Sequence, residues 1–309
     1  MQPIAYEDVR ELTIGDLPPL SLPAFPAGSA TEAQWLAVYY RAALEIRDHL
    51  ELTARVRPTR RLAPRTEGVL MGHMVRLFKC YDTFLLLTAA GRSEIAYGFW
   101  RLIAETGINL LFLLEKGTPA VVDGYIRADL KSNQQLLELG SRWLQKEIGG
   151  VPLMTDDEFD ALDGQIRQSF DEAAVDPAVH LDRNWGGVGH QMTDQKAKAV
   201  RAEAAYELIF RTGSRMLHGT WQDLKQFHLR RGVAGERYEP NTKYKSPDTN
   251  VLYLPSKFSL RAGMFYLIWI RNDRRHPLAL RLYELSKWFD KADDAHREFL
   301  ERVKNTSVQ

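Results

Sequence analysis

The residues with the most chemical content fall on two helical stripes. Arg101, Glu105 and Asn109 recur at i, i+4 and i+8 within SEIAYGFWRLIAETGINLLFLLEKG, a single line along one helix face. Tyr97 extends that line by one turn. The second line comes from EAAYELIFRTGSRMLHGTW, where Glu207, Arg211, Ser214 and His218 follow at spacings of four, three and four, with Glu203 upstream. Tyr206 lies on an adjoining strip, and Gly213 interrupts the helix at a cost of about 1 kcal/mol relative to alanine, so something there needs its small size.

These residue types support a short list of reactions. A histidine is the side chain best suited to move a proton near neutral pH. An arginine fork binds phosphate or carboxylate in a plane, which suits Arg211 and Arg215. Ser214 and His218, one turn apart, also spell a nucleophile–base pair, a spacing that chance supplies often. The plain alternative is structural: a histidine hydrogen-bonded between helices, and ion pairs that fix helix register. The first stripe sits on a helix apolar nearly all round, which predicts a central position and a buried polar cluster. Burial without partners costs several kcal/mol, so Arg101 and Glu105 must pair with each other or with the second stripe.

Helices must carry both stripes. Residues 1–30 contain Pro3, Pro18, Pro19, Pro23 and Pro26 and read as an extended arm that packs over the body or reaches a partner. Thr31 caps a long periodic segment that Arg57-Pro58-Thr59-Arg60-Arg61 ends. Further helices are expected at about Thr66–Ala90, ended by Gly91; Glu94–Lys116, with Ser93 as cap; Val121–Ile148; and from the Thr155/Glu158 capping box to about Ala174. One long helix is expected over about Thr193–Phe227. A long irregular loop or short hairpin spans 230–257, and two helices, about Ser259–Asn272 and Pro277–Lys304, close the chain. The fold class is all-α: a single helical bundle of about eight helices over 31–309, with a Pro-rich N-terminal arm and a long loop before the last two helices.

Composition narrows the function classes. Of 309 residues 45% are hydrophobic and 26% charged, ordinary for a globular core, and the net charge of +1 recruits neither nucleic acid nor membrane globally. The single Cys80 excludes an internal disulfide framework and a cysteine-rich zinc site, and fits a reducing compartment. The first residues show no basic and apolar leader, and no stretch reaches the roughly 20 residues needed to span a bilayer, so a cytoplasmic location is expected.

RLIAETGINLLFLLEKG resembles the Arg-x-x-x-Glu helix of a bacterial family known only as domain of unknown function 5677. YELIFRTGSRMLHGTW resembles that family's later Tyr–Ser–His helix, and together the likeness spans about residues 66–225. It implies an all-helical fold and no established activity. Arg211-Thr212-Gly213-Ser214-Arg215-Met216-Leu217-His218 is also similar to the Arg-x(4–6)-His pattern of higher-eukaryote-and-prokaryote nucleotide-binding (HEPN) domains. Many of those are metal-independent ribonucleases of toxin and antiviral systems, active as dimers. That resemblance implies catalytic roles for Arg211 and His218, a polar role for Thr212, RNA as substrate, a homodimer, and a setting in stress response or phage defence with a partner protein or antitoxin. Metal-free RNA cleavage needs a base for the ribose 2′-hydroxyl and cations for the phosphorane-like transition state. The competing expectation is a non-catalytic helical module that binds a small ligand or a partner protein, with both stripes structural.

Other constellations are weaker. No Glu-x-x-His pair for a helix-bundle di-metal site occurs, Asp293-x-x-His296 stands alone, and neither a metal nor a cofactor is expected. Gly186-Gly187-Val188-Gly189 follows no strand and lacks the Lys-Ser/Thr of a phosphate loop, so it reads as a turn. Basic clusters at Arg57, Arg60, Arg61, Arg65 and at Arg271, Arg274, Arg275, His276, the second beside Tyr266 and Trp269, suit RNA phosphates and bases or simply complement helix ends.

Overall fold

The computed structural model describes residues 17, 19–26, 31–59, 62–144, 147–148, 151–176, 185–186, 190–231 and 238–306. The expected N-terminal arm before Leu17, Arg60, Arg61 and Gly187–Gly189 lie outside them. The chain is almost wholly helical and divides into two compact units, residues 1–115 with 197–309, and residues 116–196.

In the first unit α1 (Glu32–Arg55) starts at a capping box: the Thr31 hydroxyl accepts from the Gln34 amide at 3.3 Å while Gln34 Oε1 accepts the Thr31 amide at 2.8 Å. Helix α2 (Pro64–Ala89) ends at Gly91, whose φ of +69° only glycine adopts freely; the Arg92 amide then reaches back to the Leu87 carbonyl at 2.8 Å. Helix α3 (Ser93–Lys116) opens on the Arg92 carbonyl rather than on a Ser93 cap, and the buried Ser93 hydroxyl makes no hydrogen bond. The long pair α10 (Thr249–Arg271) and α11 (Pro277–Thr306) packs against α1 and α2. Trp35, Tyr39, Ile46, Leu50, Met74, Tyr81, Phe84, Tyr266, Leu282 and Phe289 fill the space between them. Residues 19–26 of the arm pack on this body, with Phe25 against Trp35 and Trp288 at 6.1 and 5.4 Å between ring centres.

The second unit holds α4 (Pro119–Trp143), a two-residue hairpin β1 (Glu147–Ile148) with β2 (Val151–Pro152), and α5 (Asp156–Glu172). Its small core is Leu130, Ile166, Phe170 and Ala173. The Thr155/Glu158 capping box starts α5 as expected. Trp185 meets Tyr125 edge-on at 5.0 Å, and Lys196 lies 3.6 Å over its ring.

Two expectations are corrected. The long helix over Thr193–Phe227 is broken. Helix α6 (Thr193–Ala199) stops where Arg201 takes φ +54°; then come α7 (Glu203–Ala205), a π turn (Tyr206–Phe210), α8 (Arg211–Leu217), a second stop at Gly219 with φ +55°, α9 (Trp221–Asp223) and another π turn (Leu224–His228). Apolar periodicity survives such breaks, so the pattern conceals them. The loop before the last two helices is also shorter. Strands β3 (Leu229–Arg231) and β4 (Tyr238–Pro240) pair antiparallel, and α10 already begins at Thr249, capped by Asp248 Oδ1 on the Val251 amide at 3.2 Å. Pro255 lies inside that helix, where sequence alone signals a break. Among the described residues no helix is long and apolar enough to cross a membrane.

Candidate functional site

The two stripes do face each other. Glycines on each side set the approach: a Cβ on Gly213 of α8 would lie 2.5 Å from the Arg101 backbone nitrogen and 2.8 Å from the Tyr97 carbonyl. At Gly98 the neighbour is a side chain instead: a Cβ there would lie 3.1 Å from the Leu217 Cδ2. The small size that Gly213 was expected to serve therefore belongs to a backbone-close helix crossing.

That crossing brings Arg101 Nη1 to 3.0 Å from His218 Nε2, while Arg101 Nε lies 3.7 Å from Glu105. Its guanidinium also sits 5.1 Å from the centre of the Phe210 ring, which stacks on Tyr206 at 5.0 Å. Glu207 and Arg211 pair with one another at 2.8 Å, one turn along the π turn and into α8. Arg215 projects into solvent. Asn109 and the Ser214 hydroxyl make no hydrogen bond among the described residues; the Ser214–His218 link runs through the backbone, from the His218 amide to the Ser214 carbonyl at 3.1 Å. A serine nucleophile with His218 as base is not assembled.

The setting differs from the buried cluster that the apolar helix suggested. The Arg101 side chain is 28% exposed, Glu105 40%, and Arg211 and Glu207 about half, while His218 is open to solvent. The reason is the break at Gly219. Helix α8 ends at His218, so this stripe runs out at a helix terminus on the rim instead of continuing through the bundle.

Several neighbours were not legible from spacing. Thr220 caps the next turn by accepting from the Asp223 amide at 3.4 Å, a signal present in Gly219-Thr220-x-x-Asp223. Trp221 beyond the cap is 55% exposed and meets Tyr238 edge-on at 5.4 Å. The same segment carries a second polar pair, the buried Asp223 and the exposed His228 at 3.5 Å. Burial raises the Asp223 carboxyl above its ordinary range; His228 pulls it back, and the like charge of Glu94 pushes the same way as burial.

The other candidates resolve differently. In the Arg271–His276 cluster, Tyr266 is fully buried and His276 nearly so, so neither forms an RNA-facing surface. Arg271 Nη1 instead donates to the Arg57 carbonyl at 3.3 Å, and Thr59 reaches the same helix end, tying the first basic cluster to the second. His296 joins Glu32 at 2.8 Å across α11 and α1, and among the described residues no three His, Cys, Asp or Glu converge as metal ligands would. Gly186 lies hard against the His190 carbonyl, the close backbone approach of a turn.

No curated protein and no solved structure matches the chain. A family model does: a family of unknown function, DUF5677, covers residues 67–235, from the first turn of α2 past the end of β3. That range carries both stripes, the glycine crossing and the Arg101–His218 contact. The match covers more than half the chain, and the protein belongs to the DUF5677 family.

Proposed function

We propose that the chain is a metal-independent endoribonuclease with His218 and Arg101 at its centre and Arg211 and Arg215 beside them. The observation that carries the reading is the solvent-open contact between Arg101 Nη1 and His218 Nε2 at 3.0 Å. Arginine only donates, so Nε2 accepts and a neutral His218 carries its proton on Nδ1. An RNA phosphate outbids the imidazole for the guanidinium fork. Arg101 then turns to the phosphodiester and leaves Nε2 free to take the proton of the adjacent 2′-hydroxyl. The 2′-oxygen attacks phosphorus and the 5′-oxygen leaves, giving a 2′,3′-cyclic phosphate and a 5′-hydroxyl. His218 of a second copy protonates the leaving oxygen, and the arginines stabilise the charge on phosphorus.

Local charge supports a polyanionic substrate although the chain is nearly neutral: residues 211–245 hold eight Lys and Arg against three Asp and Glu. The exposed Trp221 and Tyr238 offer π faces to unpaired bases. The stress-response or phage-defence setting, with a partner protein or antitoxin, follows from the HEPN resemblance alone. The competing reading of a helical module that binds a small ligand has its own support in an apolar recess along α10.

Purified wild-type and His218→Ala proteins incubated with total RNA in EDTA test the assignment. The wild type yields fragments with 2′,3′-cyclic phosphate ends, and the variant loses about 10²- to 10⁴-fold in rate. Cleavage by His218→Ala at the wild-type rate sinks the proposal for this site.

A further inference from the structure

Contacts along α3 put the groups around the Arg101–His218 pair in a spatial order. Arg101 meets His218 at 3.0 Å, and Leu217 lies against Gly98, one turn back toward the helix start. Tyr97 packs on Phe227 with ring centres 6.3 Å apart. In the first turn Glu94 accepts the Lys245 amide at 3.1 Å, and just before it the Arg92 guanidinium stacks 3.7 Å from the centre of the Tyr244 ring. Trp221 falls between Leu217 and Asp223, whose carboxyl feels the charge of Glu94. One edge of α3 therefore leads from His218 past Trp221 to Tyr244. Glu94 to Arg101 covers roughly 10 Å at the helical rise, the length of about three stacked nucleotides.

The groups on this edge alternate between open rings and unpaired cations. Trp221 and Tyr244 are 55 and 49% exposed, although their ring faces would normally be buried. Arg92 braces Tyr244 from one side and still leaves half of it open. The carboxylates nearby are engaged within the chain: Glu94 by the Lys245 amide, Asp248 by the Val251 amide, Asp223 by His228 and Glu239 by Arg230. Glu94 and Asp223 are also buried. Lys225 and Lys243 are exposed, and among the described residues no carboxylate pairs with either of them, with Arg92 or with Lys245. Cations for phosphates beside rings for bases are what an unpaired strand requires.

We propose that this edge of α3 is the track for single-stranded RNA, with one base stacked on Tyr244 against Arg92, another on Trp221, and the intervening phosphates met by Lys225, Lys243 and Lys245. The inference rests on the RNA reading above and adds to it the path of the strand. It makes Tyr244 the anchor that sets the register, about three nucleotides from the bond at His218. Duplex RNA carries the same phosphates, but its bases stack on one another and have no open face for Tyr244.

Fluorescence anisotropy of a short fluorescein-labelled oligouridylate tests the track, using the full His218→Ala chain so that the strand stays intact. Adding Tyr244→Ala is expected to weaken binding by about 5- to 150-fold, the loss of one stacked base. Tyr244→Phe keeps the ring and the affinity. A blunt duplex of the same length binds at least about tenfold more weakly than the single strand. Unchanged binding by Tyr244→Ala, a Tyr244→Phe variant as weak as the alanine, or equal affinity for duplex and single strand overturns the proposal. Binding is read without turnover, so the two readings fail separately. Wild-type protein that binds the strand but leaves it uncut sinks the ribonuclease assignment alone, whereas cutting with binding indifferent to Tyr244 sinks only the track.

Discussion

Gly213 lies flat against the backbone of Arg101, so close that a Cβ there would stand 2.5 Å from the Arg101 nitrogen. Backbone atoms cannot rotate aside as a side-chain tip can. The contact fixes the separation of α3 and α8, and with it the reach of Arg101 to His218 at the end of α8.

Gly213→Ala is therefore expected to destabilise the fold by about 1–3 kcal/mol, the usual cost of overpacking. Gly68→Ala in α2, where a Cβ meets nothing within 4 Å, is the matched control and stabilises by a few tenths to about 1 kcal/mol. Urea unfolding of both variants reads the difference. Equal midpoints would show that the crossing relaxes freely.

Arg101→Lys separates chemistry from stability. Arg101 is partly exposed and its pair with Glu105 is long, so the folding free energy changes by less than about 1 kcal/mol. Lysine keeps the charge and loses the planar fork, and RNA cleavage is expected to fall by about 10²-fold, in the range seen when a transition-state donor is lost. A melting point several degrees lower, with cleavage intact, would instead assign Arg101 a structural role.

Stability on acidification depends on two histidines. Burial pushes His73 and His276 from the ordinary 6.5 down to about 4, with the charges of Arg76 and Arg271 adding to the effect. Between those values the unfolded chain binds more protons than the folded one. The stabilisation from keeping each ring neutral is complete above pH 6.5 and is lost as the pH falls toward 4, by at most about 3 kcal/mol per group. Urea midpoints measured from pH 7 to pH 4 should fall more steeply for the wild type than for His73→Leu. Parallel curves would mean that His73 charges freely in the folded state.

Binding to a single-stranded RNA should be salt-dependent and should lean on the exposed aromatics. Trp221→Ala is expected to weaken binding by about 1–3 kcal/mol at every sequence, since stacking reads no base edge. Arg215→Ala should lower the slope of log K against log salt by about 0.7, the value for one phosphate contact on a single strand. Fluorescence anisotropy at several salt concentrations measures both, and binding indifferent to salt would remove RNA from consideration.

Much of the fold was legible because the rules behind it are local. Thr31 with Gln34 and Thr155 with Glu158 declare helix starts, Gly91 declares an end, and apolar spacing declares helices throughout. The two stripes were legible for the same reason, since i+3 and i+4 spacing alone puts residues on one face. Family membership was likewise carried by short motifs on those faces.

What the tertiary structure decided is where those faces go. Arg201 and Gly219 at positive φ divide the expected long helix, and no periodicity records a left-handed residue. That break turns a buried network into a rim site, leaves His218 open, and exposes Trp221 beside it. Pro255 stays helical because it falls early in α10, packed in the core, where neighbours outweigh one lost hydrogen bond. The Arg101–His218 contact joins residues far apart in the chain through glycine-mediated packing. The sequence by itself determined which residues share a face; only packing determined which faces meet, because contact depends on helix separation and chain reversal, and neither is a local property.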